Sequence, residues 1–369
     1  MKAAIVGIAG PVLRREEAAL FAACRPAGAI LFARNIEDRR QLALLHAALR
    51  RVLPPGAVLM VDQEGGRVAR LRPPHWAAHP PAAALGRVFA ADPRAGLRVA
   101  WLTGSLIGAD CRDAGFDVAA APVLDLSVSG AHSVIGDRAL SDDPLAVARL
   151  GRAVAAGLMA AGVQPVGKHA PGHGRARVDS HLALPRVETN GLEADRLEQI
   201  AGERNARRRE SALQNNKPEH FLANTQPENA LAADIRPFAL NASLPWMMTA
   251  HIVYPALDPI SPATLSRAVI AGTIRGHMGF RGVLVTDDLA MKALSGTPAD
   301  LAVQALAAGC DLALYCSGDF ATTEALLRGC PDVTDTAAAR LAAARAMAAR
   351  RRISLNAASL QDERARLLA

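Results

Sequence analysis

Aromatic residues and long apolar runs are both scarce in this sequence. Aromatic side chains make up only 4% of the 369 residues, so the core has to be built from aliphatic side chains. No apolar run approaches the roughly 18 residues that a helix needs to span a bilayer, so we expect no membrane segment. The start, Met1–Gly10, lacks a long apolar segment and a small-residue cleavage site. We interpret it as the first strand rather than a signal peptide, and expect a cytoplasmic protein.

Cysteine and net charge are also limited. The sequence contains five cysteines, Cys24, Cys111, Cys310, Cys316 and Cys330. Their odd number and apolar surroundings favour reduced, buried thiols over a disulfide framework or a zinc cluster. The net charge is +7, without a long Lys/Arg run and with few aromatics to stack on bases, which argues against nucleic acid as a partner. The many Arg and Ala residues favour a compositional bias as the cause of this charge, and a basic site that attracts an anionic substrate is the alternative.

Eight short apolar runs alternate with stretches of helical period. The runs are Ala3–Gly10, Ala27–Arg34, Ala57–Gly66, Val118–Leu126, Val163–Gly172, Pro245–Tyr254, Gly282–Met291 and Asp311–Gly318. The clearest helical stretches are Arg39–Leu53, Pro93–Ala114, Pro144–Ala161, Leu265–His277 and Pro298–Ala308. This alternation predicts an α/β fold, a (β/α)8 TIM-type barrel with active groups at the C-terminal strand ends. An open doubly wound sheet is the alternative, but no Gly-x-Gly-x-x-Gly follows the first run, so no dinucleotide cofactor is expected.

One polar stretch interrupts the alternation. Residues 193–232 are rich in Arg, Asn and Glu and show little apolar periodicity. Because such a segment cannot bury a core face, we expect a surface insertion. We therefore predict a single barrel domain over residues 1–340 that contains this insertion. A helical extension over residues 341–369 is expected to pack on the outside of the barrel.

The densest cluster of titratable side chains lies in Lys168–Pro185, at the end of the fifth apolar run. The side chains are Lys168, His169, His173, Asp179 and His181. The Gly and Pro residues between them let the backbone turn tightly and approach a ligand closely. A loop of this kind, attached to a buried strand, is typical of an active site. A solvated loop with incidental histidines is the less favoured interpretation.

Further polar candidates lie after the third apolar run and ahead of the helical stretch that begins at Pro144. Asp62 and Arg70 come after the third run, where they are suited to an oxygen-rich ligand or, alternatively, to a structural ion pair. Arg138 lies in a turn ahead of a predicted helix. Asp142 or Asp143 is the expected N-cap of that helix.

Two further strand ends carry candidate residues. A Val-Leu-Val run closes on Asp287 and Asp288, and side chains alternate along a strand, so both carboxylates cannot face the same site. One of them is expected to be functional and the other to pair or cap. A buried carboxylate is costly unless it is used or hydrogen-bonded, so catalysis is favoured over a structural pair. His251 ends the sixth run and either lines the pocket or only supports the top of the barrel.

Several motifs together resemble glycoside hydrolase family 3. They are KH-x-PGHG with DSH-x-x-LP, DQEGGRV, GDRALS, PATLSR and GF-x-GVLVTDDL-x-M, within Ala27 to Gly318. More narrowly, the set is similar to that of the single-domain bacterial β-N-acetylglucosaminidases of cell-wall recycling. The resemblance implies hydrolysis of terminal, non-reducing β-linked GlcNAc from GlcNAc-containing (anhydro)muropeptides. We expect a monomer whose partner is this small carbohydrate, with no cofactor and no metal.

The resemblance also implies a role for each candidate residue. Asp287, the first Asp of the TDD motif, is the expected nucleophile, which forms a covalent glycosyl-enzyme with net retention. His181, held by Asp179, is the expected acid/base. The family's sugar-binding positions match Asp62, Arg70, Arg138, Lys168 and His169.

Three alternatives remain open at the level of sequence. His169 and His173, with Asp179 and His181, have spacings that a metal site in a barrel hydrolase could use. A phosphorylase is possible in chemical terms, because a His acid/base lacks the negative charge that would repel phosphate. The insertion at 193–232 could instead mark a sugar-binding relative without catalysis. The adjacent aspartates also suggest a substrate-assisted mechanism, which strand alternation disfavours.

Overall fold

The computed structural model describes residues 1–188 and 230–369. The predicted insertion at 193–232 lies outside the described residues, except for its last three, which begin a helix. The predicted barrel boundary at residue 340 falls inside another helix, Asp335–Arg351. Within the described residues, no helix is both long and apolar enough to cross a membrane. All five cysteines carry free thiols and four of them are buried, as the sequence indicates.

Eight parallel strands close into a barrel, which confirms the predicted TIM-type fold. The strands are β1 Lys2–Gly7, β2 Pro26–Leu31, β3 Val58–Val61, β4 Val118–Ala119, β5 Gln164–Ala170, β6 Trp246–Thr249, β7 Val283–Asp288 and β8 Leu312–Tyr315. Each strand pairs with the next in chain order, and β8 closes the barrel on β1 by aligning Ala313 with Ala4. Every predicted run overlaps one barrel strand. Several runs extend past the strand, because the chain stays buried beyond its end, as at Ala120–Leu126.

The helices lie around this barrel. They are α1 Arg15–Cys24, α2 Arg39–Val52, α3 Ala82–Ala91, α4 Pro93–Asp113, α5 Pro144–Ala160, α6 Ala230–Leu240, α7 Pro298–Ala308, α8 Phe320–Gly329, α9 Asp335–Arg351 and α10 Ala357–Leu368. The helix predicted over Leu265–His277 is instead a π-helix that begins later, at Val269. Asp143 caps α5, as expected, because its carboxylate accepts from the N–H groups of Leu145 and Ala146.

The C-terminal helix α10 is fixed to the barrel exterior through buried polar contacts. Arg364 is buried, and its Nη1 lies 2.8 Å from Nδ1 of His79. The other ring nitrogen of His79 lies 2.9 Å from a carboxylate oxygen of Asp110 on α4. At the surface, Arg98 and Glu363 form a two-bond pair at 2.7 Å. These contacts join α10 to α4 and to the segment that precedes α3.

A second buried polar cluster ties the end of the barrel to α9. The carboxylate of Asp311 accepts from Arg275 at 2.8 Å, from Arg340 at 2.6 Å and from the N–H of Leu284 at 2.8 Å. Asp311 therefore joins the π-helix, α9 and β7 immediately before β8 begins. Removing one member of such a cluster leaves its partners buried without compensation.

We predict that Asp311→Ala lowers the free energy of unfolding by about 3–5 kcal/mol, because two partly buried guanidinium groups lose their shared carboxylate. Urea unfolding followed by circular dichroism measures this change. Asp332→Ala is the matched control, since Asp332 is 67% exposed and its ion pairs among the described residues are with the amino terminus and Lys2. The control should change stability far less. Equal unfolding midpoints for Asp311→Ala and the unmodified chain would show that the cluster is not stabilising.

Candidate active site

A cavity of about 400 Å³ opens at the C-terminal ends of the barrel strands. It is large enough for a small-molecule ligand, and this end of the barrel is where such folds place their sites. All eight predicted site residues line it. They are Asp62, Arg70, Arg138, Lys168, His169, Asp179, His181 and Asp287. The fold thus brings together side chains that are more than 200 positions apart in the sequence.

The two aspartates at the end of β7 have different environments. Oδ1 of Asp288 accepts from the N–H groups of Ala290 and Cys316, both at 2.9 Å, so Asp288 ties adjacent loops together. Burial raises its pKa. Burial acts on Asp287 in the same direction, but the charges of His169 and His251 outweigh it and leave the pKa of Asp287 below its usual value. Asp287 is therefore the more readily ionised carboxylate of the pair.

Three cations and two carboxylates form a connected network on one wall. Lys168 Nζ lies 3.0 Å from Asp62 and 2.7 Å from Glu64. Arg138 makes two bonds of 2.8 Å to Glu64, and Arg70 lies 3.2 Å from Asp62. The structural Asp62–Arg70 pair considered from the sequence is thus present, and both members also line the cavity. Opposite charges hold each group in place while leaving it at the cavity surface.

Glu64 was not among the predicted site residues. It lies in a short antiparallel hairpin, Gln63–Gly65 with Val68–Ala69, directly after β3. Burial raises the pKa of Glu64, but Lys168 and Arg138 lower it to about 2, so its carboxylate is ionised at neutral pH. Gly65 is required here, because its φ is 99° and a Cβ would lie 2.4 Å from the carbonyl oxygen of Pro80. The DQEGGRV motif contains Glu64 and could have indicated it as a site residue. The motif does not identify its partners, Lys168 and Arg138.

Asp125 is a second residue whose role the sequence did not reveal. It is completely buried, and it accepts from the backbone N–H groups of His169, at 3.1 Å, and His173, at 2.7 Å. Nδ1 of His169 also lies 2.7 Å from this carboxylate. Since an ionised carboxylate only accepts, Nδ1 carries the proton and Nε2 of His169 is left for a ligand. Asp125 therefore fixes the start of the loop that follows β5.

Asp179 and His181 form a separate pair at the cavity mouth. Nδ1 of His181 lies 2.8 Å from Oδ1 of Asp179, which also accepts from the backbone N–H of His181 at 2.9 Å. Burial acts to raise the pKa of Asp179, but these hydrogen bonds outweigh it and lower that pKa. The His181 side chain is 61% exposed, in contrast to the buried His169. Its Nε2 is thus positioned to exchange protons with a ligand or with water.

His251 has a structural environment. Its Nδ1 lies 2.7 Å from Oγ1 of Thr264 and its Nε2 lies 3.0 Å from the carbonyl oxygen of Asp288. Both ring nitrogens are therefore hydrogen-bonded within the barrel top. Of the two interpretations from the sequence, His251 supports the top of the barrel rather than lining the pocket. Within residues 1–188 and 230–369, no three His, Cys, Asp or Glu side chains are grouped as metal ligands. The metal-site alternative therefore finds no ligand set there.

Comparison with known proteins gives a consistent assignment. The family profile described as glycosyl hydrolase family 3 N terminal domain matches residues 5–200 and 218–355. A β-hexosaminidase of Aromatoleum aromaticum is 34% identical over 343 residues, covering 92% of this chain and 86% of the relative. A β-hexosaminidase of Alkalilimnicola ehrlichii is 37% identical over 330 residues, covering 89% of this chain and 84% of the relative.

Solved structures agree with this result. NagZ from Neisseria gonorrhoeae, in complex with N-trifluoroacetyl-D-glucosamine, superposes with a TM-score of 0.79 at 30% identity. That similarity covers 100% of this chain and 98% of the other. A family 3 β-N-acetylglucosaminidase from Paenibacillus gives a TM-score of 0.76 at 28% identity, covering 99% of this chain and 66% of the other. The chain therefore belongs to glycosyl hydrolase family 3, the family that its sequence motifs resemble.

Proposed function

We propose that this β-N-acetylhexosaminidase is a retaining exo-enzyme that releases terminal, non-reducing β-linked GlcNAc. The observation that carries the proposal is the placement of the ionised Asp287 in the same cavity as the Asp179–His181 pair. A carboxylate nucleophile and a separate proton donor are the two groups that retaining glycoside hydrolysis needs. The N-acetylglucosamine derivative bound to the Neisseria relative supports the sugar assignment.

The reaction proceeds in two steps, formation of the glycosyl-enzyme and its hydrolysis. In the first, Asp287 attacks the anomeric carbon, the glycosidic bond breaks, and the departing oxygen takes a proton from Nε2 of His181. In the second, His181 removes a proton from water as the water oxygen attacks the same carbon and releases Asp287. Two inversions give net retention. Asp179 holds the Nδ1 proton of His181 and stabilises the imidazolium form.

The charged wall of the cavity holds the sugar. Lys168, Arg70 and Arg138 donate charge-assisted hydrogen bonds to sugar oxygens, and Asp62 accepts from hydroxyl groups. Nε2 of His169 adds a contact in the interior of the site, because Asp125 fixes its ring. The cavity volume of about 400 Å³ suits one terminal sugar residue, which is consistent with the proposed exo action.

We assign the substrate to the GlcNAc-(anhydro)MurNAc muropeptides of peptidoglycan recycling, cleaved in the cytoplasm by a monomer. The net charge of +7 suits an anionic peptide substrate, and the five free thiols fit a reducing compartment. Catalysis resides in the barrel domain of residues 1–340, and residues 341–369 form an attached extension. Turnover that requires phosphate would instead favour the phosphorylase.

Replacing the nucleophile should abolish turnover. We predict that Asp287→Asn lowers kcat/KM for an aryl β-N-acetylglucosaminide by roughly 10⁴-fold or more, because the amide cannot form the covalent intermediate. Chromophore release with and without phosphate measures this, and the matching aryl β-glucoside tests sugar selectivity. Asp362→Asn, an exposed change on α10, is the control. Full activity in Asp287→Asn would refute the assignment of the nucleophile.

The acid side of the pH profile should report the ionisation of Asp287. Its lowered pKa keeps the carboxylate ionised to low pH, so the acidic fall in kcat/KM should lie at lower pH than an ordinary aspartate would give. His169→Asn removes the largest charge that stabilises this carboxylate. We therefore predict that the acidic limb moves to higher pH in that variant.

The pH profile needs two controls. His75→Asn, an exposed histidine away from the cavity, should leave the acidic limb in place. Circular dichroism at each pH separates titration from unfolding. An unchanged acidic limb in folded His169→Asn would contradict the electrostatic account of Asp287.

A further inference from the structure

The loop Pro171–Pro185, which we name the acid/base loop, is fixed at its beginning by buried hydrogen bonds. The hydroxyl of Tyr254 donates to the carbonyl oxygen of Gly172 at 2.6 Å. The N–H of His173 donates to Asp125 at 2.7 Å. Gly174 packs closely against the buried segment 120–126 that follows β4, because a Cβ at position 174 would lie 2.3 Å from the carbonyl oxygen of Leu126. The first residues of the loop therefore have little freedom.

Ser180 is a buried residue between the two members of the exposed pair. Its relative exposure is 1%, whereas the side chain of His181 is 61% exposed. Oγ of Ser180 lies 3.0 Å from Nε2 of His173. Its carbonyl oxygen accepts from the N–H of Ala293, at 3.2 Å, in the segment that follows Asp287. Ser180 thus connects the outer part of the loop both to its fixed beginning and to the segment that follows the strand of Asp287.

His173 is a titratable group for which the proposed reaction has no use. Burial, reinforced by the charge of His169, lowers the pKa of His173 to about 4, so its ring is neutral near neutral pH. Its Nδ1 is buried and has no hydrogen-bond partner among the described residues. Because an unpartnered buried N–H is rarer than an unpartnered acceptor, the proton belongs on Nε2. The ring then donates to Oγ of Ser180.

We propose that the His173–Ser180 hydrogen bond is a positioning latch for the proton donor. It holds the Asp179–His181 pair at the cavity mouth, where solvent would otherwise allow many backbone conformations. His173 and Ser180 also line the cavity, and in this proposal they are positioning residues because they act through His181. A displacement of about 1 Å can lower a rate about 10²-fold, so a single buried bond is sufficient to matter. The inference rests on the proposed role of His181.

Loss of the latch should depend on the leaving group. A dinitrophenolate departs without a proton, whereas an alkoxide departs only when His181 supplies one. kcat/KM reports the first irreversible step, formation of the glycosyl-enzyme, so the later base role of His181 does not enter. A misplaced proton donor therefore lowers kcat/KM for alkyl glycosides selectively. A general distortion of the cavity lowers kcat/KM for both substrates.

The experiment compares Ser180→Ala, His173→Phe and their double variant on dinitrophenyl and methyl β-N-acetylglucosaminides. For each single variant we expect kcat/KM for the methyl glycoside to fall about 10- to 100-fold, with less than about threefold loss for the dinitrophenyl glycoside. The double variant should lose no more than either single variant, because both remove the same bond. His181→Ala provides the full effect for comparison. Ser105→Ala, a buried serine on α4, controls for loss of a buried hydroxyl.

The possible results separate failure of the latch from failure of the proposed proton donor. Equal losses on both substrates, or no loss in either single variant while His181→Ala is selective, would overturn the latch alone. Multiplying losses in the double variant would also overturn it, since the two residues would then act independently. No leaving-group selectivity in His181→Ala would overturn the proposed proton donor and the latch with it. If Ser180→Ala does not fold, His173→Phe gives the same test from the other side of the bond.

Discussion

Burial of carboxylates at one end of the barrel is the constraint on which the active site depends. Asp125 is fully buried, and Asp62, Glu64 and Asp287 are partly buried at the cavity surface, so each ionised group requires donors or cations close by. Those partners come from other strands: Lys168 at the end of β5 serves both Asp62 and Glu64 beyond β3. A shift in strand register would break several of these contacts at once. The same pairs that stabilise the barrel top therefore fix the geometry of the sugar site.

Two His–Asp pairs in one loop region illustrate how burial separates positioning from proton transfer. His169 and Asp125 are buried, and the carboxylate is further held by two backbone N–H groups, so this pair is rigid and suited to fixing a ligand. The hydrogen bond between Nδ1 of His181 and Asp179 is of similar length, 2.8 Å, but this pair lies at the cavity mouth. A group that donates a proton and then removes one has to exchange with water, and the exposed imidazole of His181 meets this requirement better than the buried ring of His169.

The barrel could be predicted from the sequence because parallel strands buried on both faces appear as continuous apolar runs. The side chains that line the cavity could be predicted because they follow those runs, and the family motifs added roles that stay predictions. The partners could not be predicted. Glu64 and Arg138 are 74 positions apart, and only the closed barrel brings them together. The structural role of His251 likewise could not be predicted, because it depends on contacts with Thr264 and the Asp288 carbonyl that no local pattern specifies.

The Asp-Ser-His order satisfies two opposed requirements on the proposed proton donor. Precision requires burial, whereas proton exchange requires solvent. Because Asp179 and His181 are two residues apart, their side chains meet on the outer side of the loop, and the intervening Ser180 points inward. The inward hydroxyl then contacts the buried His173 ring, and the outward imidazole remains accessible. Burying Ser180 between the half-buried Asp179 and the exposed His181 thus restrains the pair without removing the imidazole from water, which a fully buried or a fully exposed segment cannot do.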